Sequence, residues 1–225
     1  MFGFTLMSYI IQYMTTHGVP ELSLAFFLML PVAATLISFA RQVLGIKAFG
    51  LYIPLITTFA FLATGIKYGV FLFLIIVIIG TLFRYLLRKA HLLYLPRMAL
   101  TLILITISIY IIFVLAVYLG KTSFIRVSIF PVLILIILSE KFINTQIRLG
   151  NKIAIISTIE TLLISIACYY LISWQSFQNI ALQYPLIFIA VTIIINILLG
   201  RWAGLRISEF FRFKEVIDYI EVPKK

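Results

Sequence analysis

The chain has 225 residues, 64% hydrophobic and 11% charged, with a mean hydropathy of +1.19 and a formal net charge of +11. A soluble domain carries about 25% charged residues, so this composition cannot clothe one core in a polar shell and excludes an ordinary soluble globular fold. The cations sit in short loops between apolar runs rather than on one folded polar face, so anionic lipid headgroups, not nucleic acid, are the expected partner.

Residues 1–21 read as an extracytoplasmic or interfacial segment. The apolar stretch Phe4–Met14 is shorter than the roughly 20 residues a span requires. It lacks the basic leader and small-residue cleavage site of a signal peptide. An interfacial helix ending near His17 and Gly18 is expected there; were it to span instead, the N-terminus would change sides and the other assignments would stand.

Seven segments then qualify as spans: Leu22–Ala40, Ala48–Ala63, Tyr68–Phe83, Met98–Leu119, Val127–Ser139, Ile153–Ser173 and Pro185–Leu199. They predict an all-α polytopic membrane domain over residues 22–200. The second and fifth are short and carry Pro54 and Pro131, and the first carries Pro31. A proline inside a helix removes a donor and kinks it, and in a bilayer the freed carbonyl must be buried in protein or face water. Residues 201–225 mix Trp202, Phe210, Phe211, Phe213 and Tyr219 with Arg206, Glu209, Arg212 and Lys214, the pattern of an amphipathic tail helix on the membrane surface.

The loops divide the charge. Arg41 and Lys47, then Arg84, Arg88, Lys89 and Arg97, then Lys141, Arg148 and Lys152, and finally six cations of the tail fall on one side, fifteen of the chain's 18 Lys and Arg. Lys67, Lys121 and Arg126 fall on the other. The positive-inside rule then puts the N-terminus outside and the tail in the cytoplasm. Helices one to three and four to six share a layout of long helix, basic loop, short proline-bearing helix, loop and long helix, with Pro54 and Pro131 77 residues apart. Three helices per unit is an odd number, so the layout is that of an inverted repeat plus one further helix, an arrangement familiar in transporters.

The run Phe39 to Gly50 with Pro54, the string Leu95-Pro96-Arg97-Met98-Ala99, Phe130-Pro131 with Ser139-Glu140-Lys141, and Gly200-Arg201 through Gly204 to Glu209 together resemble the seven-helix membrane domain usually fused to an inactive transglutaminase-like domain in bacteria. The resemblance covers roughly residues 20–215 and implies a bacterial cytoplasmic membrane protein. Members usually carry an extracytoplasmic transglutaminase-like part before the seven helices, in agreement with the outside N-terminus read from charge. Here some twenty residues precede the first span, the expectation being a stand-alone version or one part of a split protein with a separate transglutaminase-like partner. Family members are often encoded beside an ATP-grasp ligase similar to glutamate ligases, which implies such a ligase at the cytoplasmic face. A fainter likeness is to the small membrane subunit of poly-γ-glutamate capsule synthases.

Several residues are candidates for function. Glu160, eight residues past Lys152 and so about 12 Å along a helix, is expected near the bilayer midplane, where a carboxylate costs about 2.5–3.5 kcal/mol on insertion scales. It reads either as a proton relay, cation site or buried pair, or as a protonated carboxyl among the packing hydroxyls of Ser157, Thr161 and Ser165. Lys47 and Arg126 precede the two proline-bearing helices from opposite faces; they could attract an anionic substrate or merely snorkel to headgroups. Lys47, Pro54, Arg126, Pro131 and Glu160 thus outline a substrate path. Arg41 and Glu140 each close a helix at the inner face and read as a structural ion pair or as solvated loop charges. Arg201, Arg206, Glu209 and Arg212 form a docking surface for a soluble partner, or simply an anchor.

The sequence contains no H-E-x-x-H, G-x-S-x-G or P-loop. Its one cysteine, Cys168, excludes an internal disulfide or a multi-cysteine metal site. The expectation is a non-enzymatic protein without cofactor or metal. It would be a conduit in a system that makes or exports an acidic, amide-linked, glutamyl-type peptide or polymer. The alternative is a non-catalytic membrane scaffold or sensor that docks partner proteins.

Overall fold

A computed structural model describes residues 13–87, 93–120 and 129–201. Within them every regular element is helical: α1 Glu21–Phe39, a π-helical continuation Ala40–Leu44, α2 Tyr52–Thr64, α3 Ile66–Leu87, α4 Tyr94–Tyr118, α5 Ile129–Leu149, α6 Asn151–Ser173, α7 Gln175–Gln183 and α8 Pro185–Gly200. A helical turn at 13–16 precedes them. It holds the last residues of the expected interfacial helix; the remainder of Phe4–Met14 lies outside the described residues. The same is true of the tail beyond Arg201.

Each expected span coincides with a helix, but not every helix meets the demands of a bilayer. The segments Ser23–Leu44, Ile66–Leu87, Leu95–Tyr118 and Asn151–Ser173 are long and apolar enough to cross, and the bent pair α7–α8 adds a fifth when taken as one span. Helix α2 has 13 residues, about 20 Å at 1.5 Å per residue, short of a hydrocarbon core about 30 Å thick. Glycines bound it: Gly50 (φ +78) precedes its first turn and Gly65 (φ +77) breaks it from α3. Helix α5 is longer than expected, running past Ser139 to Leu149, because nothing between them breaks a helix until Gly150 at φ +90.

Two expectations are corrected here. Pro54 and Pro131 do not kink their helices. Each is the third residue of its helix, in α2 and α5 respectively, where a missing N–H has no intrahelical acceptor to lose. Glu140 does not close a helix: it lies in the interior of α5, half-buried, with Lys141 and Arg148 on the same helix. The sixth loop also contains an unforeseen element, α7. It meets α8 at 104°, because Pro185 disfavours helical backbone at the residue before it and Tyr184 accordingly sits at φ −128°, ψ 56°.

The chain forms two compact units. The first comprises Met1–Leu51 and Tyr170–Lys225; in its described part α1 packs on α7 and α8. Asn196 Nδ2 donates to Thr35 Oγ1 at 2.6 Å and to Thr192 O at 2.8 Å, so α8 is tied to α1 by a polar bridge. The second unit, Tyr52–Tyr169, is a bundle in which α3 and α5 pack along each other, α2 lies on α5 and α3, and α4 covers α3. Helical spacing writes its core: Gly69, Leu72, Phe73, Ile76 and Gly80 of α3 are buried, as are Val132, Leu135, Ile136, Ser139, Phe142, Ile143 and Gln146 of α5. This division cuts across a three-plus-three partition of the helices. The first-turn prolines of α2 and α5 still keep the 77-residue register.

Candidate functional site

Within the second unit a polar seam joins the first turns of α2 to the later half of α6. Pro54 sits in the first turn of α2, and its carbonyl accepts a hydrogen bond from Thr58 Oγ1 at 2.8 Å, one turn on. The same carbonyl is 3.0 Å from Ser165 Oγ of α6, which also lies 2.8 Å from Thr161 O. Thr58 Oγ1 is in turn 3.3 Å from Ser165 O. Cys168, one turn beyond Ser165, makes a side-chain hydrogen bond with Thr58. Thr161 continues the line with a hydrogen bond to Ser157 O at 2.6 Å. Thr58, Ser165 and Cys168 have no exposed surface and Thr161 almost none.

The seam is a physical response to the bilayer. A hydroxyl in an apolar medium needs a partner, and the carbonyl one turn back is the nearest. Ser165 and Thr58 extend that local habit across two helices. Chemically it is a closed network: each of these hydroxyls lies within hydrogen-bonding distance of a carbonyl. Among the described residues no group of three or more His, Cys, Asp or Glu converges as a metal site. The prediction is that Thr58→Val with Ser165→Ala lowers stability in detergent. Each single change is expected to cost about 0.6 kcal/mol, up to about 1.7, and the double mutant less than their sum because both share the Pro54 carbonyl. Unfolding titrations of the four proteins measure the coupling directly.

Glu160 is ten residues into α6 and half-buried. It sits at the margin between the buried face of Ser157, Thr161 and Ser165 and the exposed apolar face of Ile156, Ile159 and Leu163. Pro131 is buried in the first turn of α5. Arg126, Arg206, Glu209 and Arg212 lie outside the described residues; Arg201, just past the end of α8, is exposed. Arg41 belongs to the first unit and Glu140 to the second.

The structure brings Arg41 and Lys47 together in a way the sequence did not announce. Past α1 the backbone widens into the π turn, then reverses at Gly45 (φ +81), whose N–H bonds Ala40 O. Ile46 N–H bonds the same carbonyl at 3.2 Å. The reversal returns Lys47 towards α1, so that Ser38, Arg41, Gln42 and Lys47 line a polar cavity of about 400 Å³. A glycine four residues after Arg41 was the visible signal; that a π turn would aim both cations at one cavity was not. Thr58 was also missed, because a threonine in a short apolar helix carries no distinguishing pattern.

Apolar helices of this length, arranged as packed bundles with saturated hydroxyls, define an all-α polytopic membrane protein. The chain belongs to the family described as 7 transmembrane helices usually fused to an inactive transglutaminase, whose model matches residues 7–217. No curated protein and no solved structure matches the chain significantly.

Proposed function

We propose that the chain is a non-catalytic membrane scaffold that holds partner proteins of an envelope system. The observation that carries this reading is the closed α2–α6 seam. The polar side chains nearest Pro54 are buried and hydrogen-bonded rather than arranged around a passage. The inactive transglutaminase to which helices of this family are usually fused also fits a role in assembly rather than in chemistry. In this reading the chain lies in the bacterial cytoplasmic membrane, N-terminus outside. Its basic face and tail dock an ATP-grasp-type ligase, and a separate transglutaminase-like protein binds on the other side. Co-expression with such a ligase tests it: the full chain should retain the ligase on affinity purification, and a chain ending at Arg201 should lose it. Unchanged recovery would sink the docking role.

A second reading is favoured by one feature, the cavity shared by Arg41 and Lys47. Two cations around one cavity suit a carboxylate, as expected of a conduit for glutamyl-type oligomers. In that reading Lys47 and Arg126 attract the polymer, Pro54 and Pro131 frame its path and Glu160 relays a proton. Liposomes bearing the purified chain should then move glutamyl oligomers, and Glu160→Gln or Arg126→Ala should slow them. The scaffold reading predicts no flux at all.

A further inference from the structure

The first unit contains a second cavity, of about 660 Å³, between α1, α7 and α8. Val32, Leu36, Phe39, Phe177, Phe188 and Val191 are among the side chains that wall it. Its two threonines add little polarity, because Thr35 Oγ1 donates to Pro31 O at 2.7 Å and Thr192 Oγ1 to Ile189 O at 2.7 Å. The volume is that of a small-molecule site, and the walls accept nothing that needs a hydrogen bond.

The two cavities border the same turn of α1. Phe39 lines the apolar one, and its chain neighbour Ser38 lines the polar one with Arg41, Gln42 and Lys47. The π turn makes this junction. By widening the backbone after Phe39 and letting Gly45 reverse it, the chain puts two cations on a polar cavity that borders the turn of α1 where the apolar lining ends at Phe39. A ligand that fills both has an apolar chain and an anionic head. The exposed surface around the groove is itself apolar, with Leu186, Ile187, Ile194 and Leu198 uncovered, so what reaches the groove comes from the bilayer.

We infer that this unit holds one anionic glycerophospholipid. Its phosphate is bound by Arg41, Lys47 and the Gln42 amide, and one acyl chain lies along the groove of α1 and α8. Guanidinium and ammonium groups both suit a phosphate head, and a neutral-headed lipid has no use for them. The site stands independently of the scaffold reading and competes with the conduit reading for the same cations.

Native mass spectrometry of the delipidated full chain in mild detergent, titrated with phosphatidylglycerol and with phosphatidylcholine of matched chains, tests the site. Phosphatidylglycerol is expected to remain bound, one per chain, with a preference of about tenfold or more. The double variant Arg41→Gln/Lys47→Gln should erase the preference. Leu36→Trp, which fills the groove and leaves the cations in place, should weaken both lipids. Equal retention of the two lipids by the unaltered protein would overturn the proposal. So would protection by glycerol phosphate alone, or displacement of the lipid by a glutamyl oligomer. These comparisons on the unaltered protein decide the matter even if a variant does not fold.

Discussion

Replacing Gly69 by leucine is expected to break the packing of α2 on α3, the largest loss foreseen from any single substitution in the second unit. A Cβ added at Gly69 would stand 2.6 Å from Phe61 Cδ1 and 2.6 Å from Thr64 Oγ1. Neither neighbour can yield cheaply. Phe61 is completely buried, and Thr64 Oγ1 is a short branch held by its hydrogen bond to Ala60 O at 2.9 Å. Alanine would gain about 1 kcal/mol of helix propensity over glycine, against an overpacking cost of about 1–3 kcal/mol, and so should be mildly destabilising. Leucine adds three more carbons to the same place and should exceed that range. Gly200→Ala is the control: nothing lies within 4 Å of a Cβ there, so its stability should hold or rise. Thermal unfolding in detergent separates the three proteins. A Gly69→Leu protein as stable as the parent would refute the close approach of α2 and α3.

That helix pair shows what the sequence made legible. The apolar runs located every helix that the expected spans cover, because the requirement to bury apolar surface or face it to lipid acts on composition alone. Boundaries were less readable. Residues 140–149 looked like a loop because they include Glu140, Lys141, Asn144, Gln146 and Arg148. Charge does not break a helix, though, and no glycine or proline intervenes before Gly150. The buried positions of α5 step from Ser139 to Phe142, Ile143 and Gln146 without losing the helical period. That period was visible and was outweighed by polarity.

The prolines are the converse case. Proline in an apolar run was read as a break within a span; Pro31 does lie inside α1, yet Pro54 and Pro131 each fall in the first turn of their helix, as its third residue. For the site, the sequence placed Ser157, Thr161 and Ser165 on one face of α6, correctly as to burial. The partner of that face was hidden, because Pro54 and Ser165 are 111 residues apart and only packing joins them. Arg41 and Lys47 were read separately for a related reason: a π turn leaves no compositional mark.

Gln146 on α5 should be replaceable by methionine with a gain in stability. Its side chain is 8% exposed. Its Oε1 has no hydrogen-bond partner among the described residues. A buried acceptor left unmade costs about 1–3 kcal/mol, and no helix terminus or turn uses this one. Methionine has similar length, needs no donor and adapts to irregular space, so Gln146→Met is expected to stabilise by about 1 kcal/mol or more. Its neighbours along the stripe, Phe142 and Ile143, are apolar and almost fully buried. Ile143 Cδ1 lies where α3 leaves room for it: a Cβ at Gly80 would approach it to 2.9 Å. A glutamine in such a stripe is therefore a local loss retained against packing. The sign of the change identifies the reason. A stabilised Gln146→Met protein would make the residue a tolerated defect of the isolated chain. A destabilised protein would show that the oxygen accepts a hydrogen bond within the isolated chain.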